Sequence, residues 1–176
     1  MRSATPRKFI VLSLTLSPII FLTACAQNPS HVATTTMNNT LPANSTTQQA
    51  QQAQQNKAIV TDFYEGVFQK HQVKTYADRY IGDRYIQHNP RVPDGKAPFV
   101  NHFTQYFQNN PEARSVIKRA VAEGNLVFLH VHSAQNPHDR GVAIVDIFRV
   151  ENGKILEHWD VQQAVPESSA NSNTMF

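Results

Sequence analysis

The sequence predicts an α+β fold in which helices come first and then cover an antiparallel sheet. Three observations predict it. Up to about Phe107 the apolar residues recur at helical spacing. Beyond Pro111 they alternate with polar residues at a period of two. Two turn signals, Gly124-Asn125 and Asn152-Gly153, separate neighbouring strand segments as hairpins require. Helices first and then an antiparallel meander indicate an α+β fold. Helices on one face of a curved sheet would enclose a pocket.

The elements follow in order. Ile59, Val60, Phe63, Tyr64, Val67 and Phe68 line one side of a helix over about 49–70. A second, short helix is expected at 74–80. Residues 83–88 read as a short strand or turn, stopped by Asn89-Pro90. Pro98 suits the first turn of a third helix. Phe99, Val100, Phe103, Tyr106 and Phe107 give that helix one apolar face, and Asn109-Asn110-Pro111 ends it. Strands are expected at 115–123, 126–133, 141–151 and 154–163, as one antiparallel meander. The helical stripes Ile59–Phe68 and Phe99–Phe107 are read as core.

The first residues give an address. Arg2, Arg7 and Lys8 precede an apolar run of about fourteen residues, Phe9 to Leu22, which ends at Leu22-Thr23-Ala24-Cys25. A basic start, a short apolar stretch and small residues before a cut site make a secretory signal. The run is broken by Pro18 and is shorter than the roughly twenty residues of a membrane span. A cysteine directly after Leu-Thr-Ala resembles the lipobox of bacterial lipoproteins. That resemblance implies cleavage before Cys25, lipidation of Cys25 and attachment to the cell envelope. Ala26 in the following position points to the outer membrane, facing the periplasm. Expected organisation is then a signal peptide at 1–24, a disordered tether at 25–48, a folded domain at 49–166 and a disordered tail at 167–176. The tether assignment rests on composition, because residues 26–56 hold no Asp or Glu and no Lys or Arg.

Charge and cysteine content narrow the partners. Cys25 is the single cysteine, so no internal disulfide is possible. Loss of residues 1–24 leaves 13 basic against 13 acidic side chains, and the formal charge of +3 vanishes. A neutral chain excludes nucleic acid as the expected partner, since that needs a persistent basic patch. It also excludes a polybasic membrane surface, leaving the lipid itself as the anchor.

Strand alternation sorts the residues that could carry chemistry. Asp146 shares a face with Val142, Ile144 and Phe148, where an acid is rarely found unpaired. His158 and Asp160 share a face with Leu156 and Gln162, and His130 and His132 with Leu126 and Phe128. His88 stands just before the forced turn at Asn89-Pro90. The expected catalytic group is His88, Asp146, His158 and Asp160, because imidazoles beside carboxylates in a dry pocket suit proton transfer. Tyr85, His130, His132 and Trp159 are candidates for ligand contact. Trp159 is weighed against a place in the core or a subunit contact. His130 and His132 with His158 or Asp160 would complete a zinc set. Exposed strand histidines are commoner, so neither metal nor cofactor is expected. Each catalytic candidate also has a structural reading, as a buried hydrogen-bonded pair or a turn cap.

Three segments carry a family resemblance. Tyr85-Ile86-Gln87-His88-Asn89-Pro90, Asp146-Ile147-Phe148-Arg149 and Gly153-Lys154-Ile155-Leu156-Glu157-His158-Trp159-Asp160 resemble the SnoaL-like proteins of the nuclear transport factor 2-like superfamily. The closing strand resembles a subgroup carrying Glu-His-Trp-Asp, described as aldol-condensation enzymes. The resemblance implies a conical, curved antiparallel sheet with N-terminal helices enclosing a pocket, and often a homodimer. It implies a small, largely apolar carbonyl ligand, with polyketide cyclase-like, isomerase or dehydratase chemistry that needs no cofactor. The polyketide cyclases place an acid/base aspartate a few residues beyond the last-strand tryptophan. Here Val161-Gln162-Gln163 offers no acid there, and Asp160 is the available carboxylate. The same fold also serves non-catalytic modules that bind ligands or proteins, which is the alternative reading.

Overall fold

A computed structural model describes residues 43–176. The expected signal peptide, Cys25 and residues 25–42 of the expected tether lie outside the described residues, while residues 43–48 of that tether are helical. Helix α1 (Ala43–Phe68) is followed by α2 (Val73–Tyr80), strand β1 (Ile81–Gln87) and α3 (Lys96–Asn109). Strands β2 (Arg114–Glu123), β3 (Leu126–Ala134), β4 (Val142–Glu151) and β5 (Lys154–Ala164) complete the fold. No helix among the described residues is long and apolar enough to cross a membrane.

Helix α1 buries the stripe read from the sequence. Val60, Phe63, Tyr64 and Val67 are each at most 2% exposed. The helix starts at Ala43, six residues before the expected position, because no proline or glycine interrupts residues 43–65. Residues 46–52 face solvent, Ala53 is buried, and Asn56 is buried and donates from Nδ2 to the Gly124 carbonyl at 3.0 Å. That bond ties α1 to the β2–β3 turn. His71 ends the helix in a left-handed conformation (φ 56°), and the Gln72 N–H returns to the Gly66 carbonyl. At Gly66 α1 meets α2 so closely that a Cβ would stand 2.2 Å from the Tyr76 ring.

The sheet order is β1-β5-β4-β3-β2. The last four strands form the expected antiparallel meander. The sheet as a whole is mixed, not antiparallel, because β1 pairs parallel with β5, Gln87 opposite His158. The expected turn or strand at 83–88 is thus a full edge strand running 81–87. A parallel partner needs a long crossover, and α3 with the meander supplies it. The register shifts in β2 near Lys118, and again where Arg149 faces Glu157 but Val150 faces Ile155. Such extra residues bend strands and make the sheet curve.

The concave face packs on the helices. Val127, Leu129, Val131, Phe148, Val150 and Ile155 meet Phe63, Val67, Phe99 and Phe107 in one core. The outer face keeps Val116, Val121, Val145 and Val161 exposed. Residues 167–176 hold no helix or strand, yet the tail is not free of the domain. The Phe176 ring stacks on His132 at 4.3 Å and lies 5.6 Å from the His130 ring.

Candidate functional site

A cavity of about 550 Å³ lies between the helices and the concave sheet face. Its helical wall is aromatic: Phe63 and Phe68 from α1, and Phe99, Phe103, Tyr106 and Phe107 from α3. Its sheet wall carries polar groups beside Val142, Ile144 and Phe148. Tyr85, Gln87 and Asn89 come from β1 and its end, and Asp146, His158, Asp160 and Gln162 from β4 and β5. The two walls follow from the two periodicities. A helix stripe facing a core is apolar, while alternate strand positions beyond the core's edge are free to be polar.

Asp146 lies at the centre of the polar wall and is 5% exposed. The Tyr64 hydroxyl donates to its Oδ2 at 2.9 Å. Its Oδ1 faces His158 Nε2 at 2.9 Å, and the other ring nitrogen, Nδ1, faces Gln87 Oε1 at 2.7 Å. Asp160 sits opposite Asp146 in the β4–β5 register, half-buried, and accepts from Asn89 Nδ2 at 2.6 Å. Ligating atoms of Asp146, His158 and Asp160 all lie within 4.8 Å of one another.

The tyrosines feel this group. Burial holds the Tyr64 hydroxyl protonated well above the ordinary phenol range, and the Asp146 charge with its hydrogen bond adds to the effect. Burial, then the Asp146 charge, raises Tyr85 in the same direction. Both phenols therefore remain neutral donors over the physiological range. At the rim Asp139 accepts from the Gln135 and Gly141 N–H groups, which lower its pKa.

Four sequence candidates line this cavity: Asp146, His158, Asp160 and Tyr85. Four others lie elsewhere. His88 does not approach the group. Alternation turns Tyr85, Gln87 and Asn89 inward and His88 outward, where its ring stacks on Trp159 (4.7 Å, 4°). There Glu157 Oε1 contacts His88 Nε2 at 2.8 Å and Glu157 Oε2 accepts from Arg149 Nε. The His88 bond, then Arg149, lowers the Glu157 pKa. Trp159 is on the same outer face and is no ligand platform in the cavity. His130 and His132 alternate with the fully buried Val131 and so also face outward; His130 Nδ1 meets Arg119 and His132 donates to the Arg140 carbonyl. Leu156 is the extra residue of the β5 bulge, so it does not share the face of His158 as strict alternation implied.

Sequence reasoning missed Tyr64, Gln87 and Asn89. Tyr64 was assigned to the core stripe, and it is both core and donor. For Gln87 and Asn89 a signal existed, because both alternate with Tyr85.

The fold and site now identify the class. The SnoaL-like domain family matches residues 60–158. The chain belongs to that family. Its fold is shared with solved structures at low identity. A candidate ketosteroid isomerase from Kribbella flavida superposes with a TM-score of 0.54 at 15% identity, over 68% of this chain and 85% of that one. A candidate polyketide cyclase from Bacillus cereus gives 0.55 at 16% identity, over 64% and 76%. An NTF2-like protein of unknown function from Mesorhizobium loti gives 0.53 at 19%, over 64% and 94%. No match is found among curated proteins.

Proposed function

We propose that the cavity binds a small, largely apolar carbonyl compound and that Asp160 and the Asp146–His158 pair move a proton on it. The observation that carries this is the convergence of the three side chains on one aromatic-walled cavity. Asp160 is the less tightly held carboxylate and serves as base toward a carbon next to the carbonyl. The developing enolate oxygen then needs a donor, and Tyr85 or the proton shared by His158 and Asp146 supplies it. The isomerase and cyclase descriptions of two fold neighbours agree with such chemistry. The test measures ligand binding and α-proton exchange of carbonyl compounds on Asp146→Asn and His158→Ala. Both activities should be lost per folded molecule.

A non-catalytic binding module is the second reading. It is favoured by Asp146 itself, whose two oxygens are both engaged, as in a purely structural pair. Lowered stability with unchanged affinity in the same variants would select it.

The reading extends to the address. Leu22-Thr23-Ala24-Cys25 after the Phe9–Leu22 run supports a lipid anchor on Cys25 and an outer-membrane position facing the periplasm. A clickable fatty acid should label the wild type and not Cys25→Ser; equal labelling ends this part. A homodimer through the outer sheet face, where Val121 and Val161 stay exposed, belongs to the same reading. Sedimentation equilibrium tests it, and a monomer at all concentrations excludes it.

A further inference from the structure

The structure assigns a divalent transition-metal site to Asp146, His158 and Asp160. This runs against the sequence expectation of no metal, and it places the ion away from the outward His130-Val131-His132 pair. Three observations carry it. First, the two ring nitrogens of His158 both face oxygen atoms, Gln87 Oε1 at 2.7 Å and Asp146 Oδ1 at 2.9 Å. A neutral imidazole has one N–H. If Nδ1–H donates to Gln87, Nε2 is left either to carry a second proton toward Asp146 or to hold a cation shared with the two carboxylates, whose ligating atoms lie within 4.8 Å of it.

Second, two carboxylates meet across the β4–β5 register on one cavity wall, and no lysine or arginine is paired with either among the described residues. A cation held between them offsets charge at this half-dry site, where an uncompensated charge is costly.

Third, each ligand is oriented by a separate polar partner. Tyr64 donates to Asp146 Oδ2, Gln87 accepts from His158 Nδ1, and Asn89 donates to Asp160 Oδ2. Metal ligands carry such outer partners. Three protein ligands on a cavity wall leave room for a ligand from the cavity side, the pattern of catalytic rather than structural sites. One nitrogen and two carboxylate oxygens suit zinc, manganese, iron or cobalt in their divalent states. The bound ion would polarise a carbonyl oxygen entering the cavity, in place of the proton that His158 and Asp146 share in the metal-free protein. That use rests on the proposed function; the ion site does not.

The probe is Co²⁺, added to the full chain after chelation and followed by visible absorption and calorimetry, with Zn²⁺ in competition. One ion per chain should bind and Zn²⁺ should displace it. Asp160→Asn and His158→Ala should weaken binding more than tenfold. Gln87→Leu should weaken it on the order of tenfold, as outer partners do. His130→Ala with His132→Ala should leave it unchanged. Asp160→Asn keeps an acceptor for Asn89, so it should stay folded and keeps the test valid if His158→Ala does not. Absence of saturable binding below millimolar Co²⁺ overturns the site, as does full affinity in Asp160→Asn or loss in the His130 and His132 variant. Proton exchange by the chelated protein would keep the carbonyl reading while leaving the ion without a catalytic part; ion binding without exchange would keep the site and remove the carbonyl reading.

Discussion

At the scale of single residues, Asp146 organises the site. A carboxylate 5% exposed is tolerated because Tyr64 and His158 both meet it. Asp146→Asn replaces one acceptor oxygen by a donor and sets it against an existing donor. We expect this to lower stability by about 1–3 kcal/mol. His158→Ala leaves Asp146 Oδ1 without its partner and Gln87 Oε1 with only the Asn89 N–H, and should cost a similar amount. Neither should unfold the chain, since the apolar core under them is untouched. Thermal melts of both variants check this beside the binding assay. Asp146 was legible in the sequence because an acid among large apolar strand residues breaks the pattern. His158 and Asp160 were legible from alternation with each other. Tyr64 was not, because a tyrosine in a helical apolar stripe looks like any core aromatic. His88 was misplaced although the information was present. It is one residue from Gln87, and neighbouring strand residues face opposite ways.

At the scale of elements, the meander was read to within one residue at most strand ends, since period and turn chemistry are local signals. Val142–Glu151 and Lys154–Ala164 differ from expectation by a single residue at one end each. The parallel pairing of β1 with β5 was not legible. It joins segments about seventy residues apart through no turn, so nothing local announces it. That pairing is also what brings Gln87 beside His158. The bulge at Leu156 was equally silent, and it resets which β5 residues face the cavity. The contact of α1 with α2 gives a prediction at this scale. Alanine is the better helix former by about 1 kcal/mol. At Gly66, however, its Cβ would stand 2.2 Å from the Tyr76 ring. Gly66→Ala should therefore destabilise the fold by about 1–3 kcal/mol, the usual cost of overpacking. Chemical denaturation measures it, and a gain in stability would show that α2 yields freely. Because the strand wall is built elsewhere, cavity affinity per folded molecule should be retained.

At the scale of the whole molecule, the cavity couples stability to alkaline pH. Tyr64 and Tyr85 are each 2% exposed, and burial with the Asp146 charge keeps both hydroxyls protonated well above the ordinary phenol value of 10. In the unfolded chain they ionise near pH 10. Above that pH the folded state holds more protons than the unfolded state, so stability falls as pH rises. Below about pH 9 both states hold these protons and the two groups contribute no slope. Each tyrosine adds about 1.4 kcal/mol per pH unit to the decline. Tyr80 and Tyr106, shifted in the same direction but less buried, add a smaller part. Tyr64→Phe should lower stability at neutral pH, because Asp146 Oδ2 loses its donor. Its alkaline slope should nonetheless be shallower than that of the wild type. Tyr85→Phe should shorten the slope in the same way, and the double variant should lose about 3 kcal/mol per pH unit of it. Urea midpoints at intervals from pH 8 to 11 give the slopes directly. An unchanged slope in the double variant would mean that both hydroxyls ionise in the folded protein, and the polar wall would then be open to hydroxide and water rather than closed under its aromatic roof.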